Sequence, residues 1–177
     1  MLVQTVKNHL EIGFNKVWPA GQKMPDAIPT SCHFATCFWL FLDEYDREPS
    51  FAEAVDKLGD AQGVVKKMLS LGTRLSRPMR GSLQLTPGSI LVFVQGDKPG
   101  HSCVAIEAQT LCGYNQSTWW SLGGGDHNLS THTTNLLMWG SKAHQSEVRR
   151  TVNAVDWYQL YEIPENSAKG VIKGLMN

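Results

Sequence analysis

The sequence lacks an excess of charge of one sign. Sixteen lysine and arginine residues balance sixteen aspartate and glutamate residues in a chain of 177 residues, and they form no long block of like charge. Proteins that bind nucleic acid or anionic membranes through electrostatics usually carry a basic patch. We therefore expect no nucleic-acid partner and a partner that is recognised by shape.

Long apolar runs are also missing. No stretch approaches the roughly 18 consecutive apolar residues of a membrane helix. Lys7, Glu11 and Lys16 interrupt the apolar pattern near the start of the sequence, which argues against the apolar core of a classical secretory signal. We expect no membrane insertion, no classical export signal and, with 42 % hydrophobic residues, one domain over residues 1–177.

Cysteine is scarce. The four cysteines are Cys32, Cys37, Cys103 and Cys112, and they contain no CxxC pair. A disulfide framework is therefore not expected, and free thiols suit a reducing cytosol. His127 and His132 could bind zinc together with Cys32 or His33, but this glycine-rich segment lacks the usual ligand spacing, so we expect no metal and no cofactor.

The stretch from Ile28 to Asp46 organises the rest of the chain. Five bulky apolar residues follow one another from Phe38 to Leu42 without a polar stripe, which predicts a helix buried on all sides. Cys32 and Cys37 lie at its entrance. A thiol in the first turn of a helix feels the partial positive charge of unpaired N–H groups, which lowers its pKa. This arrangement is typical of a cysteine nucleophile.

Helical patterns fill the first part of the chain. Apolar residues at three- and four-residue steps predict a helix over residues 1–18. Ser50 and Glu53 form a capping box, and a further helix is predicted over residues 60–71. The first 72 residues are therefore predicted to be helical apart from their connecting loops.

Strand patterns follow. Residues 90–94 form a β-branched and aromatic run, residues 102–108 and 111–116 predict a hairpin, and residues 155–163 predict a closing strand. Residues 123–134 are interpreted as a long polar excursion, and the residues from 165 onward are expected to fray. Helices followed by an antiparallel sheet predict an α+β fold.

His101, at the start of a predicted strand, is the candidate partner of the thiol. A thiol is only a few per cent ionised at neutral pH, and a neighbouring imidazole can take its proton and later protonate the leaving amine. The second ring nitrogen of such a histidine needs an acceptor that fixes its tautomer. Asn115, on the returning arm of the hairpin, is the candidate, with Gln116 and Asp126 as rivals.

Either Cys32 or Cys37 can be the nucleophile. Cys32 follows Ser31 and Cys37 follows Thr36, and both preceding residues are suitable N-caps. We favour Cys37 because it stands directly before the apolar run, and we keep Cys32 as the alternative. Cys103 and Cys112 are interpreted as core residues.

Two segments resemble a known superfamily. Leu85-Thr86-Pro87-Gly88-Ser89-Ile90-Leu91-Val92-Phe93, followed by Gly100-His101-Ser102-Cys103-Val104-Ala105-Ile106, is similar to the paired motifs of NlpC/P60 hydrolases, although Ser89 stands where that family usually has aspartate. The order of parts, and Cys37 before an apolar run, also resemble papain-like enzymes. The resemblance implies a papain-like fold with N-terminal helices packed on an antiparallel sheet.

The resemblance also implies an activity. Cys37 would attack an amide, His101 would act as base and then as acid, and Asn115 would orient the histidine. The 64-residue separation of Cys37 and His101 is similar to that of the TecA-type bacterial effectors, which deamidate Rho-family GTPases. This implies a toxin, exported without a classical signal, that acts on a small GTPase in the cytosol of a host cell.

Two alternatives stay open. The chain could be a peptidoglycan peptide amidase, as many NlpC/P60-like type VI secretion effectors are. It could also be a binding module with a catalytically inert papain-like shell, such as an inhibitor or adaptor.

Overall fold

The helices lie mainly in the first part of the chain. The computed structural model describes residues 1–12, 17–18, 22–23, 32–75, 84–108, 110–114, 129–133 and 158–177. The α-helices within these ranges are α1 (Leu2–Ile12), α2 (Cys32–Tyr45), α3 (Ala61–Met68) and α4 (Glu165–Met176). A π-helical turn (Glu53–Lys57) precedes α3, and a 3-10 turn (Leu69–Leu71) follows it.

Most of the strands belong to one antiparallel sheet, in which the spatial order of the strands differs from their order in the chain. The strands are β1 (Val17–Trp18), β2 (Gln22–Lys23), β3 (Thr73–Leu75), β4 (Ile90–Gln95), β5 (Lys98–Glu107), β6 (Thr110–Tyr114), β7 (Leu129–Thr133) and β8 (Tyr158–Ile163). Six of them form an unclosed antiparallel sheet in the order β3-β8-β4-β5-β6-β7, and β1 pairs with β2 separately. The predicted α+β class is confirmed.

Helix α2 is buried along most of its length. Every residue from His33 to Phe41 is buried, as the apolar run from Phe38 to Leu42 predicts. The helix contacts α1, α3, α4, β5 and β6. Burial of apolar surface is the main stabilising contribution to such a layer, so α2 is the element on which the other helices and the sheet pack.

The two faces of the sheet carry different side chains. Ile90, Val92 and Val104 belong to the core shared with the helices, whereas Leu91 and Phe93 belong to a second cluster on the opposite face. This alternation is expected because successive residues of a strand point to opposite faces. We call the two sides the helix face and the outer face.

The predicted capping box is confirmed at the level of hydrogen bonds, and a second helix start is capped in a similar way. The Glu53 N–H donates to Ser50 Oγ (3.1 Å) and the Ser50 N–H donates to Glu53 Oε2 (2.8 Å), which is the predicted capping box. The Asp60 carboxylate accepts from the Gly63 N–H (3.2 Å) at the start of α3. These contacts satisfy N–H groups that have no partner within the helix.

Other predictions are wrong. The first helix ends at Ile12, and residues 17–18 form a strand instead. The residues from 165 onward form α4 rather than fraying. Strands β3 and β7 were not predicted. Spacing within a short segment does not reveal these elements, because the tertiary partners of each segment decide its conformation.

Helix α4 is held by apolar and charged contacts. Ala168 and Ile172 are buried in the core that contains α2. The Lys169 ammonium pairs with the Asp43 carboxylate of α2, and with Glu165 Oε1 at 3.0 Å. Because the Asp43 side chain is 5 % exposed, solvent screens this pair less than a surface pair.

Replacing Asp43 with asparagine is expected to lower the free energy of unfolding at neutral pH by about 1–3 kcal/mol. Burial alone would raise the pKa of Asp43, but hydrogen bonds from Lys169 and Thr5 outweigh burial and hold that pKa below its ordinary value. Such a carboxyl contributes stability above its unfolded-state pKa, and the contribution is lost as the pH falls through its folded-state pKa. Urea denaturation from about pH 7 to about pH 3 should show the difference from wild type shrinking.

The matched control is Asp56→Asn, on the exposed side of the π-helical turn. This variant should stay within about 0.5 kcal/mol of wild type at each pH, as surface substitutions usually do. A pH-independent loss of stability in Asp43→Asn would contradict the proposed role of the carboxylate charge.

Candidate functional site

Cys32 is the first residue of α2 and lies against β5. Burial raises the pKa of its thiol to about 11, and hydrogen bonds from the backbone N–H groups of Ser102 and His33 partly oppose this rise. The sulfur therefore lies near the backbone of two different elements, the start of α2 and strand β5. In the resting protein it is a thiol, and a base must remove its proton before it can act as a nucleophile.

The Cys32 sulfur lies on the side of β5 that faces β6. The Ala105 N–H donates to the Ser89 carbonyl (2.9 Å), which is on the β4 side of β5. Because N–H groups of successive strand residues point to alternate sides, the Ser102 N–H points toward β6. The described pairing of β5 with β6 extends from Val104 toward the β5–β6 turn, so the sulfur lies near the end of that ladder.

His101 is the residue before Ser102, and it is buried as the fourth residue of β5. Its ring packs against Phe93 on β4, with 5.5 Å between the ring centroids. A Cβ added at Gly113 would lie 3.6 Å from His101 Cε1 and 3.1 Å from the Cβ of Cys103. The absence of a side chain at Gly113 therefore leaves room for the His101 ring beside β6.

The structure does not bring Cys37 and His101 together. Cys37 is 0 % exposed and packs in the core on the helix face, whereas His101 packs with Phe93, which belongs to the outer-face cluster. Burial raises the pKa of the Cys37 thiol well above its ordinary range. Cys37 is also about 7.5 Å further along the helix axis than Cys32, at a rise of about 1.5 Å per residue. The structure therefore places Cys37, the cysteine favoured from the sequence, in the core, and places the alternative Cys32 at the start of α2.

The other predicted residues have separate outcomes. Cys103 and Cys112 are buried, and their interpretation as core residues is confirmed. Asn115, Gln116, Asp126 and His127 lie outside the described residues. The backbone of His132 lies in β7, opposite Leu111 of β6.

Sequence reasoning missed the role of His33. Its ring is buried, with Nδ1 at 2.8 Å from Ser102 Oγ and Nε2 at 3.0 Å from the Pro99 carbonyl oxygen. Burial lowers the pKa of His33 to about 4, although the hydrogen bond to Pro99 opposes this. The ring is therefore neutral at pH 7, and its Nε2–H donates to the Pro99 carbonyl, which can only accept. Gln62 of α3 donates to the same carbonyl at 2.9 Å.

The Ser102 hydroxyl extends this contact to the start of α2. It lies 3.1 Å from Thr36 Oγ1, and the Thr36 hydroxyl donates to the Cys32 carbonyl at 3.2 Å. The distance between Ser102 and His33 would suit a serine nucleophile and its base. However, the Ser102 hydroxyl is enclosed by His33 and Thr36, and we interpret the pair as structural. The sequence signal was the presence of His33 and Thr36 on an otherwise apolar helix.

The turn before β4 is held by Glu162 of β8. The Glu162 carboxylate accepts from the Thr86 N–H (2.8 Å) and from the Ser89 hydroxyl (2.7 Å). Gly88 has a φ of 92°, and a Cβ there would lie 2.5 Å from Glu165 Oε2. Ser89 thus has a definite partner in this chain, at the position where the NlpC/P60 motif has aspartate.

We expect Ser89→Asp to destabilise the chain at neutral pH. The new carboxylate would lie beside Glu162, and two adjacent carboxylates cannot both stay ionised without cost. Ser89→Asn is the matched control, because asparagine has nearly the same size and can donate to Glu162. At about pH 7 the asparagine variant should be more stable than the aspartate variant by about 1–3 kcal/mol. At about pH 4 the gap should narrow, because one carboxyl then carries a proton. Equal stability at neutral pH would contradict the contact.

The described residues contain no group of three His, Cys, Asp or Glu side chains that could hold a metal ion. Within the same ranges, no helix has both the length and the apolar character needed to cross a membrane. Comparison of the chain with known protein families, with characterised proteins and with solved structures finds no match.

Proposed function

We propose that this chain is a cysteine hydrolase of amide bonds on a papain-like scaffold, with Cys32 as the nucleophile and His101 as the general base. One observation carries the proposal. Cys32 begins α2 and its sulfur lies near the backbone N–H groups of His33 and Ser102, which lower the thiol pKa against the effect of burial, and Ser102 directly follows His101 in β5.

The proposed reaction has two halves. His101 takes the thiol proton, and the thiolate attacks the carbonyl carbon of the amide. The tetrahedral intermediate collapses as the C–N bond breaks, and His101 returns the proton to the leaving amine or ammonia. A water molecule, deprotonated by His101, then attacks the thioester and releases the acid and the Cys32 thiol. The backbone N–H of His33, at the start of α2, stabilises the negative charge that develops at the reacting centre in both halves of the reaction.

The raised pKa of Cys32 sets a requirement for this mechanism. A thiol with a pKa of about 11 is almost entirely protonated at neutral pH, so the reaction depends on proton transfer to His101 rather than on a resting ion pair. Asn115 remains the proposed orienting residue for His101, with Gln116 and Asp126 as alternatives.

The substrate class rests on the resemblance to TecA-type effectors. It favours a side-chain amide of a host protein, with a Rho-family GTPase as the first candidate and the host cytosol as the place of action. The free thiols of Cys32, Cys37, Cys103 and Cys112 suit a reducing compartment. A peptide of peptidoglycan is the alternative substrate, and it rests on the resemblance to NlpC/P60 hydrolases.

A second candidate is a binding protein on the same scaffold without catalysis. It is favoured by the same burial that raises the pKa of Cys32. An inert thiol in this position would show no dependence on His101, and this difference separates the two functions.

Labelling with iodoacetamide tests the thiol and its base. In a hydrolase, Cys32 should carry most of the adduct, because Cys32 is partly exposed whereas the other three cysteines are buried. His101→Ala should slow Cys32 labelling at neutral pH by about tenfold, since the imidazole would accept the thiol proton as the sulfur reacts. Peptide mapping by mass spectrometry gives the rate at each cysteine. Cys37→Ala should leave the rate at Cys32 unchanged. A His101→Ala variant that labels like wild type would favour the binding protein.

Activity should depend on Cys32 and not on Cys37. With a Rho-family GTPase as substrate, mass spectrometry should find a gain of about 1 Da on one asparagine or glutamine, as expected when an amide becomes an acid through an acyl-enzyme. Muropeptides are assayed in parallel for cleavage. Cys32→Ala should reduce the active reaction by at least about a thousandfold, whereas folded Cys37→Ala should keep it. Activity that survives Cys32→Ala would overturn the assignment.

A further inference from the structure

We propose that His33 is a positioning residue: its ring holds the first turn of α2 against β5 and thereby sets where the Cys32 sulfur lies. The inference deepens the proposed function, because it matters for catalysis only if Cys32 is the nucleophile. The placement itself is a property of the folded chain and can be measured without turnover.

The His33 ring joins α2 to two points on β5. One ring nitrogen faces Ser102 Oγ at 2.8 Å, and the other donates to the Pro99 carbonyl oxygen at 3.0 Å. Gln62 donates to the same carbonyl, at 2.9 Å, from α3. Helices α2 and α3 therefore both contact β5, at residues that lie just before and just after His101.

A second set of contacts links β5 to Cys32. The Ser102 hydroxyl lies 3.1 Å from Thr36 Oγ1, and Thr36 donates to the Cys32 carbonyl at 3.2 Å. The Ser102 N–H meanwhile lies near the Cys32 sulfur and lowers the pKa of its thiol. The Cys32 carbonyl is thus linked to Ser102 through Thr36, and the Cys32 sulfur lies near the Ser102 N–H. His33 in turn contacts the Ser102 hydroxyl.

The energetics favour a positioning role over simple stabilisation. Burying polar groups costs desolvation free energy, and their hydrogen bonds recover little more than that cost. Apolar packing alone would give similar stability for several slightly different positions of α2 on the sheet. Hydrogen bonds have narrow limits of distance and angle. This polar network, in which the His33 ring bonds to Ser102 Oγ and to the Pro99 carbonyl while Thr36 Oγ1 contacts Ser102 Oγ, therefore selects one helix position among these.

The test compares two buried histidines on the helix face. His33→Leu removes the contacts to β5. The matched control is His9→Leu, which removes an equally buried imidazole from α1, where His9 Nδ1 accepts from Trp39 Nε1 at 2.9 Å. Both variants should lower the thermal midpoint. The readout is the rate of Cys32 alkylation by iodoacetamide as a function of pH, with the adducts mapped by mass spectrometry.

We expect the two variants to differ in this profile. In His33→Leu the first turn of α2 loses its fixed position and water reaches the sulfur. Because burial is the largest cause of the raised thiol pKa, labelling at a fixed pH below that pKa should become about tenfold faster, which corresponds to a fall of about one pKa unit. His9→Leu should keep the wild-type profile. Identical profiles in the two variants would overturn the proposal and leave His33 with a merely structural role.

Two further variants keep the test decisive if His33→Leu fails to fold. His33→Gln keeps a donor for the Pro99 carbonyl and should return labelling part of the way to the wild-type rate. Thr36→Val preserves volume but removes the hydroxyl that donates to the Cys32 carbonyl, and it should shift the profile in the same direction as His33→Leu. A wild-type profile in Thr36→Val would count against the network.

The outcome is separable from that of the proposed function. If Cys32→Ala retains amide hydrolysis, the proposed function fails, while the labelling profiles still decide whether His33 positions the thiol. If hydrolysis depends on Cys32, His33→Leu should lower kcat with little change in KM, because it displaces the nucleophile rather than the bound substrate. Faster labelling together with slower turnover is the expected signature.

Discussion

Burial of α2 is the constraint on which the rest of the structure depends. The helix lies between α1, α3, α4 and the sheet, and its residues from His33 to Phe41 have almost no contact with solvent. Since burial of apolar surface is the dominant favourable term in folding, the other elements are arranged so that this helix is covered. Its first residue, Cys32, lies against β5 as a consequence.

A helix buried in this way has an unusual start. His33 and Thr36 are polar residues in an otherwise apolar environment, and both contact Ser102 directly through their side chains. Apolar contacts supply the stability of the layer, and this small polar network supplies its orientation. The same burial that secures the helix raises the pKa of the Cys32 thiol, so any chemistry at the sulfur must begin with a proton acceptor such as His101.

Much of the fold follows from local sequence patterns. The apolar run from Phe38 to Leu42, the capping box of Ser50 and Glu53, and the β-branched run at residues 90–94 all lie in the expected elements. The misses have a common cause. Helix α4 is amphipathic and packs through Ile172 on a distant part of the chain, and short strands such as β3 exist because they pair with a remote strand. The spacing of residues within a segment does not reveal such distant partners.

The candidate site divides in the same way. The sequence by itself determined that a buried helix begins near two cysteines and that His101 belongs to a strand of an antiparallel sheet, because apolar periodicity and β-branched runs are local properties. Only the tertiary structure decided that Cys32 lies against that strand while Cys37 lies in the core, and that His33 joins the two elements. The physical reason is that two residues five positions apart on a helix point in different directions, and only packing determines which direction meets the sheet.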